Sequence, residues 1–161
     1  MIVVSNTTPL IGLATIQQFD LLQHLFVKIY ISPAVYGEAV TAGREEGGAK
    51  REVSAADWIE IVPVKDQLAV EVLLDELDRG EAETIVLAHE LNADWVLMDE
   101  KKGRRKVTEL GLNKIGTLGL LLKAKEVGLL SQIRPEVEQL RQHGFSVGQR
   151  VVDAVLQQAG E

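Results

Sequence analysis

Asn6, Glu38, Glu81 with Glu83, and Asp99 with Glu100 place oxygen-bearing side chains at four separate points of the chain. Mg²⁺ is a hard cation that takes oxygen ligands, keeps several of its waters, and is commonly held by one or two carboxylates together with substrate phosphate. An ion held in this way lowers the pKa of an attacking water and stabilises a leaving oxygen. The chemistry that suits such a set is metal-assisted attack of water at a phosphate. Each residue also has a plainer reading. The chain has 24 acidic residues, and most carboxylates on a protein are solvated surface groups. Glu81 in a first helical turn favours the helix dipole, Glu38 suits an exposed helix, and Asn6 is a good N-cap or Asx-turn residue.

The elements that must position these residues follow from the pattern of apolar side chains. Ile2-Val3-Val4 reads as a strand, stopped by Ser5-Asn6-Thr7-Thr8-Pro9, with Pro at a first helical position. Leu10 to Ile16 and Asp20 to Leu25 read as helices, Val27 to Ile31 as a strand, and Ser32-Pro33 as the cap of a helix with Glu38 near its middle. Residues 43–50 are Gly-rich and charged, as in a surface loop. Trp58 to Val62 reads as a third strand, Gln67 to Leu77 and Gly80 to Leu91 as helices, and Trp95 to Met98 as a buried parallel strand ending at Asp99. Asn113 to Ile115 is a short strand candidate. Leu118 to Val127, opened by Gly116-Thr117, then Pro135 to His143 and Val147 to Ala159, read as the last helices.

Strands alternating with helices predict an α/β fold with a mostly parallel sheet covered on both faces. In such sheets ligands sit outside the C-terminal strand ends. Asn6 and Asp99 each follow a strand immediately, so they meet at one edge if those strands are neighbours. With 161 residues, 46% of them hydrophobic, a single domain is expected over 1–161, the helices at about 135–159 packing on it or mediating association.

Composition narrows the function. Zero cysteines exclude disulfides, thiolate zinc sites and cysteine nucleophiles, and His24, His89 and His143 lack metal-ligand spacing. A net charge of -7 argues against a protein that coats nucleic acid. An acidic metal site with one local basic patch is compatible with it. Lys101-Lys102-Gly103-Arg104-Arg105-Lys106 is that patch, and Lys101, Lys102, Arg104 and Arg105 are candidate phosphate contacts for RNA. Aromatic residues make up only 4%, so no stacking platform is evident. No apolar run approaches the roughly 20 residues that span a bilayer, and MIVVSNTT lacks signal-peptide character, so no membrane association and a cytoplasmic location are expected. No G-x-G-x-x-G or P-loop follows the first strand, which places a nucleotide-binding domain low.

Four blocks in this order and spacing, VVSNTTPLIGLATI, ISPAVYGEAV, RGEAETIVLAHELNADWVLMDEKKGRR and IGTLGLLLKAKEVGL, resemble a bacterial, VapC-toxin-like branch of the PIN-domain family. The resemblance spans nearly the whole chain. It implies a three-layer α/β/α, Rossmann-like fold and a Mg²⁺- or Mn²⁺-dependent endoribonuclease, the toxin of a toxin–antitoxin pair held inactive by a cognate antitoxin. Carried over by position, the family's four acids fall on Asn6, Glu38, Glu81 and Asp99. Thr8 and Thr117 match polar positions near the same pocket, and Glu83 and Glu100 rank behind the four. Asn6 departs from the pattern by replacing a carboxylate with an amide. The net loss, on the order of 1 to 3 kcal/mol after the cheaper desolvation of an amide, weakens an ion roughly 5- to 150-fold. The alternative is a catalytically lapsed PIN-like domain that binds RNA or a protein. The stripe Val147, Val151, Val155 and Leu156 is most simply core packing, and it also suits a homodimer or an antitoxin groove.

Overall fold

The computed structural model describes residues 1–41 and 49–161. Its centre is a sheet of five parallel strands: β1 (Val3–Ser5), β2 (Ile29–Ile31), β3 (Ile59–Ile61), β4 (Trp95–Leu97) and β5 (Lys114–Ile115), in the order β3-β2-β1-β4-β5. The chain runs outward from β1 through β2 to β3, then returns to β4 on the other side of β1. That reversal makes the gap between β1 and β4 the topological switch point, where doubly wound sheets bind ligands. The register pairs Val3 with Trp95, Val4 with Val96 and Ser5 with Leu97, so Asn6 and Met98 leave the sheet side by side.

Side chains alternate along each strand, and the core therefore divides in two. Val3 and Leu97 pack with Leu10, Leu13, Leu120 and Leu121 on one face. Val4, Val96 and Met98 pack with Val70, Ile85 and Leu87 on the other. The first face is covered by α1 (Thr7–Thr15), α2 (Leu21–Phe26), α8 (Thr117–Glu126), α9 (Arg134–Gln142) and α10 (Gln149–Gln158). The second is covered by α5 (Gln67–Leu73), α6 (Arg79–Glu90) and α7 (Lys101–Glu109). This is the three-layer α/β/α arrangement expected from the sequence.

Several boundaries differ from the expectation. The helix opened at Ser32 is only α3 (Pro33–Tyr36), where the Ser32 hydroxyl accepts from the Val35 amide at 3.2 Å. It runs on as a π-helical turn, Gly37–Thr41, so Glu38 stands in that wider turn and not mid-helix. Such turns re-aim side chains and recur at functional sites. The 43–50 loop lies outside the described residues except for Ala49, which is buried, and Lys50, which begins α4 (Lys50–Ala55). The helix from Gln67 stops at Leu73, four residues early. In the C-terminal stripe Leu156 is buried, Val147 and Val155 pack against the first core, and Val151 is exposed. No helix among the described residues is long and apolar enough to cross a membrane.

Candidate metal centre

Asn6 occupies the N-cap position of α1, but its side chain does not cap the helix. Its Nδ2 donates to Met98 Sδ at 3.4 Å, a weak bond across the switch point. Its Oδ1 is buried and finds no hydrogen-bond partner among the described residues. The N-cap explanation of Asn6 therefore fails for its oxygen, which is left with unspent lone pairs beside the β4 end.

The next residue, Thr7, donates from Oγ1 to Glu38 Oε2 at 2.5 Å and ties the π-helical turn to the start of α1. Glu38 lies directly against α6. A Cβ built on Gly80 would meet Glu38 Oε1 at 2.5 Å and Oε2 at 2.8 Å, so only glycine admits this carboxylate. Partial withdrawal from water pushes the Glu38 pKa above its ordinary value, against the Thr7 bond, with Asp78 and Glu83 adding repulsion.

Glu81 is buried in the first turn of α6, a helix enclosed from Gly80 to Ala88. Asp78 Oδ1 accepts from the Glu81 amide at 2.8 Å, and Glu81 Oε1 accepts from the Asp78 amide at 2.9 Å. This capping box gives Glu81 a structural duty and leaves Oε2 to other use. Burial raises its pKa, and the charges of Asp78 and Glu100 push the same way.

Asp99 follows β4 and receives two bonds from one residue: the Thr117 amide donates to Oδ1 at 2.8 Å and the Thr117 hydroxyl to Oδ2 at 2.6 Å. Desolvation raises its pKa, while the Thr117 bonds and the Arg104 guanidinium act to lower it. Arg104 turns inward, its guanidinium donating to the Met98 carbonyl at 2.9 Å.

The acids are thus linked in a ring: Glu38 bonds Thr7, which follows Asn6; Asn6 bonds Met98, which precedes Asp99 and Glu100; the charge of Glu100 acts on Glu81, whose neighbours Asp78 and Gly80 lie by Glu38. The ring is open. Among the described residues no three His, Cys, Asp or Glu side chains converge closely enough to hold an ion by themselves. The donor set is still all oxygen, three of its carboxylates bind protons more tightly than usual, and one buried oxygen has no partner. That combination suits a hard cation that retains water between itself and some of its ligands.

The remaining candidates are spread around this ring. Glu83 is buried, with Oε1 accepting from the Ala34 amide at 3.1 Å and Oε2 3.9 Å from Arg79, so it is engaged with the start of α3. Glu100 is exposed at the N-cap position of α7 without capping it. Thr8 lines a cleft together with Asp99, Glu100 and Lys101. The basic run is divided: Lys101 joins that cleft, Arg104 faces the ring, and Lys102 and Arg105 line a separate hollow with Glu76, Lys106 and Glu109. Sequence reasoning passed over Thr7 and Asp78. Asp78-x-x-Glu81 is a readable capping-box signature, whereas nothing in the sequence distinguishes Thr7 from Thr8 before the helix direction is known.

A doubly wound parallel sheet flanked by helices, with oxygen-bearing side chains near its switch point, gives the chain a Rossmann-like architecture. More particularly, a family model described as a PIN domain matches residues 2–161, and the chain belongs to the PIN-domain family. The family is nuclease-type and generally uses divalent metals. No curated protein matches the chain.

Proposed function

We propose that the protein is a Mg²⁺- or Mn²⁺-dependent endoribonuclease, the toxin of a toxin–antitoxin pair, acting in the cytoplasm with a weakened metal site. The observation that supports a metal most is the buried Asn6 Oδ1 at the switch point, which has no hydrogen-bond partner among the described residues, with acids of raised pKa on the adjoining elements. Asn6 and Asp99 would hold the ion, with Glu38, Glu81 and Glu100 reaching it directly or through water. When bound, the ion would supply a lowered pKa for water and charge stabilisation at phosphate. Thr117 orients the Asp99 carboxylate through both oxygens, and Thr7 with Gly80 fixes that of Glu38. Burial raises the pKa of Glu38 and of Glu81, which makes each a better proton acceptor than a fully solvated carboxylate. The toxin assignment is supported by the order and spacing of the four sequence blocks.

The second reading, a lapsed domain that binds RNA or protein, is favoured by the open ring and by the amide at position 6. Incubating the protein with single-stranded RNA in Mn²⁺, Mg²⁺ or EDTA separates the two. Metal-dependent cleavage that Asp99→Asn reduces at least about a hundredfold, on the scale of lost electrostatic stabilisation, is the expected result. RNA that is bound yet intact under every metal favours the lapsed reading.

A further inference from the structure

A cleft of about 600 Å³ opens beside Asp99 between α1, the Asp99–Lys101 link and the turn after α9. The turn is fixed by its backbone. Gly144 has φ +88°, its amide donates to Arg141 O at 3.1 Å, and the Phe145 amide donates to Leu140 O at 2.9 Å. These are the two bonds of a Schellman closure, in which the residue at Phe145 packs back on the helix. Any large apolar side chain satisfies that contact, and an aromatic ring is not required for it. Phe145 is nevertheless the cleft's aromatic wall, half-exposed, with Cε2 3.6 Å from where a Cβ on Gly12 would stand.

Two further groups on the cleft suit a polynucleotide. Lys101 is exposed and has no ion-pair partner among the described residues. His143 is exposed and its Nδ1 lies 2.8 Å from the Gln139 carbonyl. A carbonyl only accepts, so Nδ1 carries the proton, and Nε2 of the neutral ring is an acceptor. A ribose 2′-hydroxyl can donate to it, and deoxyribose cannot.

We infer that this cleft seats the single strand of RNA leading to the site, with a base stacked on Phe145, a phosphate at Lys101 and a 2′-hydroxyl at His143. The inference rests on the nuclease reading for its ligand. It routes the strand past α1 and the turn after α9, and away from the hollow that contains Lys102 and Arg105.

The test is fluorescence anisotropy with a short labelled oligouridylate and its deoxy counterpart, in Ca²⁺, with the RNA checked for integrity on a gel. Phe145→Leu keeps an apolar side chain packed against the first core and removes the π-face. It is expected to weaken RNA binding about 5- to 150-fold, the factor that stacking on one ring supplies, at unchanged Tm. Thr15→Glu, which puts a negative charge on the α1 wall, weakens binding as well, and His143→Ala abolishes the preference for RNA over DNA. Lack of RNA binding by the wild type, or wild-type affinity in both Phe145→Leu and Thr15→Glu, overturns the assignment. The two readings fail separately. Metal-dependent cleavage with an unaltered KM in Phe145→Leu removes the cleft and leaves the nuclease, whereas Phe145-dependent binding without cleavage removes the nuclease and leaves the cleft.

Discussion

Leaving a buried amide oxygen without a hydrogen bond costs about 1–3 kcal/mol, and Asn6 Oδ1, just beyond the end of β1, has no such bond among the described residues. A cation would use that oxygen. An aspartate there adds a full charge to a ring whose carboxyls are already short of water, so Asn6→Asp is expected to lower the Tm of the metal-free protein. It should tighten Mn²⁺ about 5- to 150-fold by calorimetry. Unchanged affinity would mean that position 6 is not a ligand. At this scale the sequence was legible in residue type and blind to bonding. Glu38 and Asp99 were selected as carboxylates, but that Thr7 fixes one and Thr117 holds both oxygens of the other depends on which elements meet in space.

Strand β4 and helix α6 illustrate why elements were easier to read than their ends. Trp95 to Met98 is an apolar run, buried from Val96 to Met98, and its end at Asp99 could be read from the chain alone. That its neighbour is β1, which brings Asn6 and Asp99 together, comes from the order β3-β2-β1-β4-β5. The π-helical turn at Gly37–Thr41 has no local signature, and α4 is too short for its periodicity to show. Helix α6 carries a prediction. Gly80 is inside the helix, where alanine is intrinsically better by about 0.8–1.0 kcal/mol, yet its Cβ would displace Glu38 Oε1 from 2.5 Å. Gly80→Ala should therefore keep or raise Tm while reducing cleavage by up to about a hundredfold, the cost of a displacement near 1 Å. A parallel fall in Tm and rate would make Gly80 a packing residue only.

Across the whole molecule, one side chain ties the end of α10 to α8 and to the start of α9, beside the apolar packing of these helices. Glu161 accepts from the Ile133 and Arg134 amides at 2.8 and 3.1 Å and pairs with Lys125 at 3.0 Å. Burial pushes its carboxyl up, but these donors outweigh burial and hold its pKa below the ordinary 4.5. A depressed folded pKa gives stability that is fully present above the ordinary value and lost as pH falls through the lower one. Glu161→Gln should lower Tm at neutral pH by about 2–4 °C, with the two Tm curves converging in acid. Curves that stay parallel below pH 4 would contradict this tie. The proposed divalent ion would unite the open ring at the β1–β4 switch point. Titrating Mn²⁺ into the wild type and Asp99→Asn by calorimetry tests it most directly. Saturable binding in the wild type, weakened at least tenfold in Asp99→Asn, is the expected result. No binding at millimolar Mn²⁺, or binding that Asp99→Asn leaves unchanged, would contradict it.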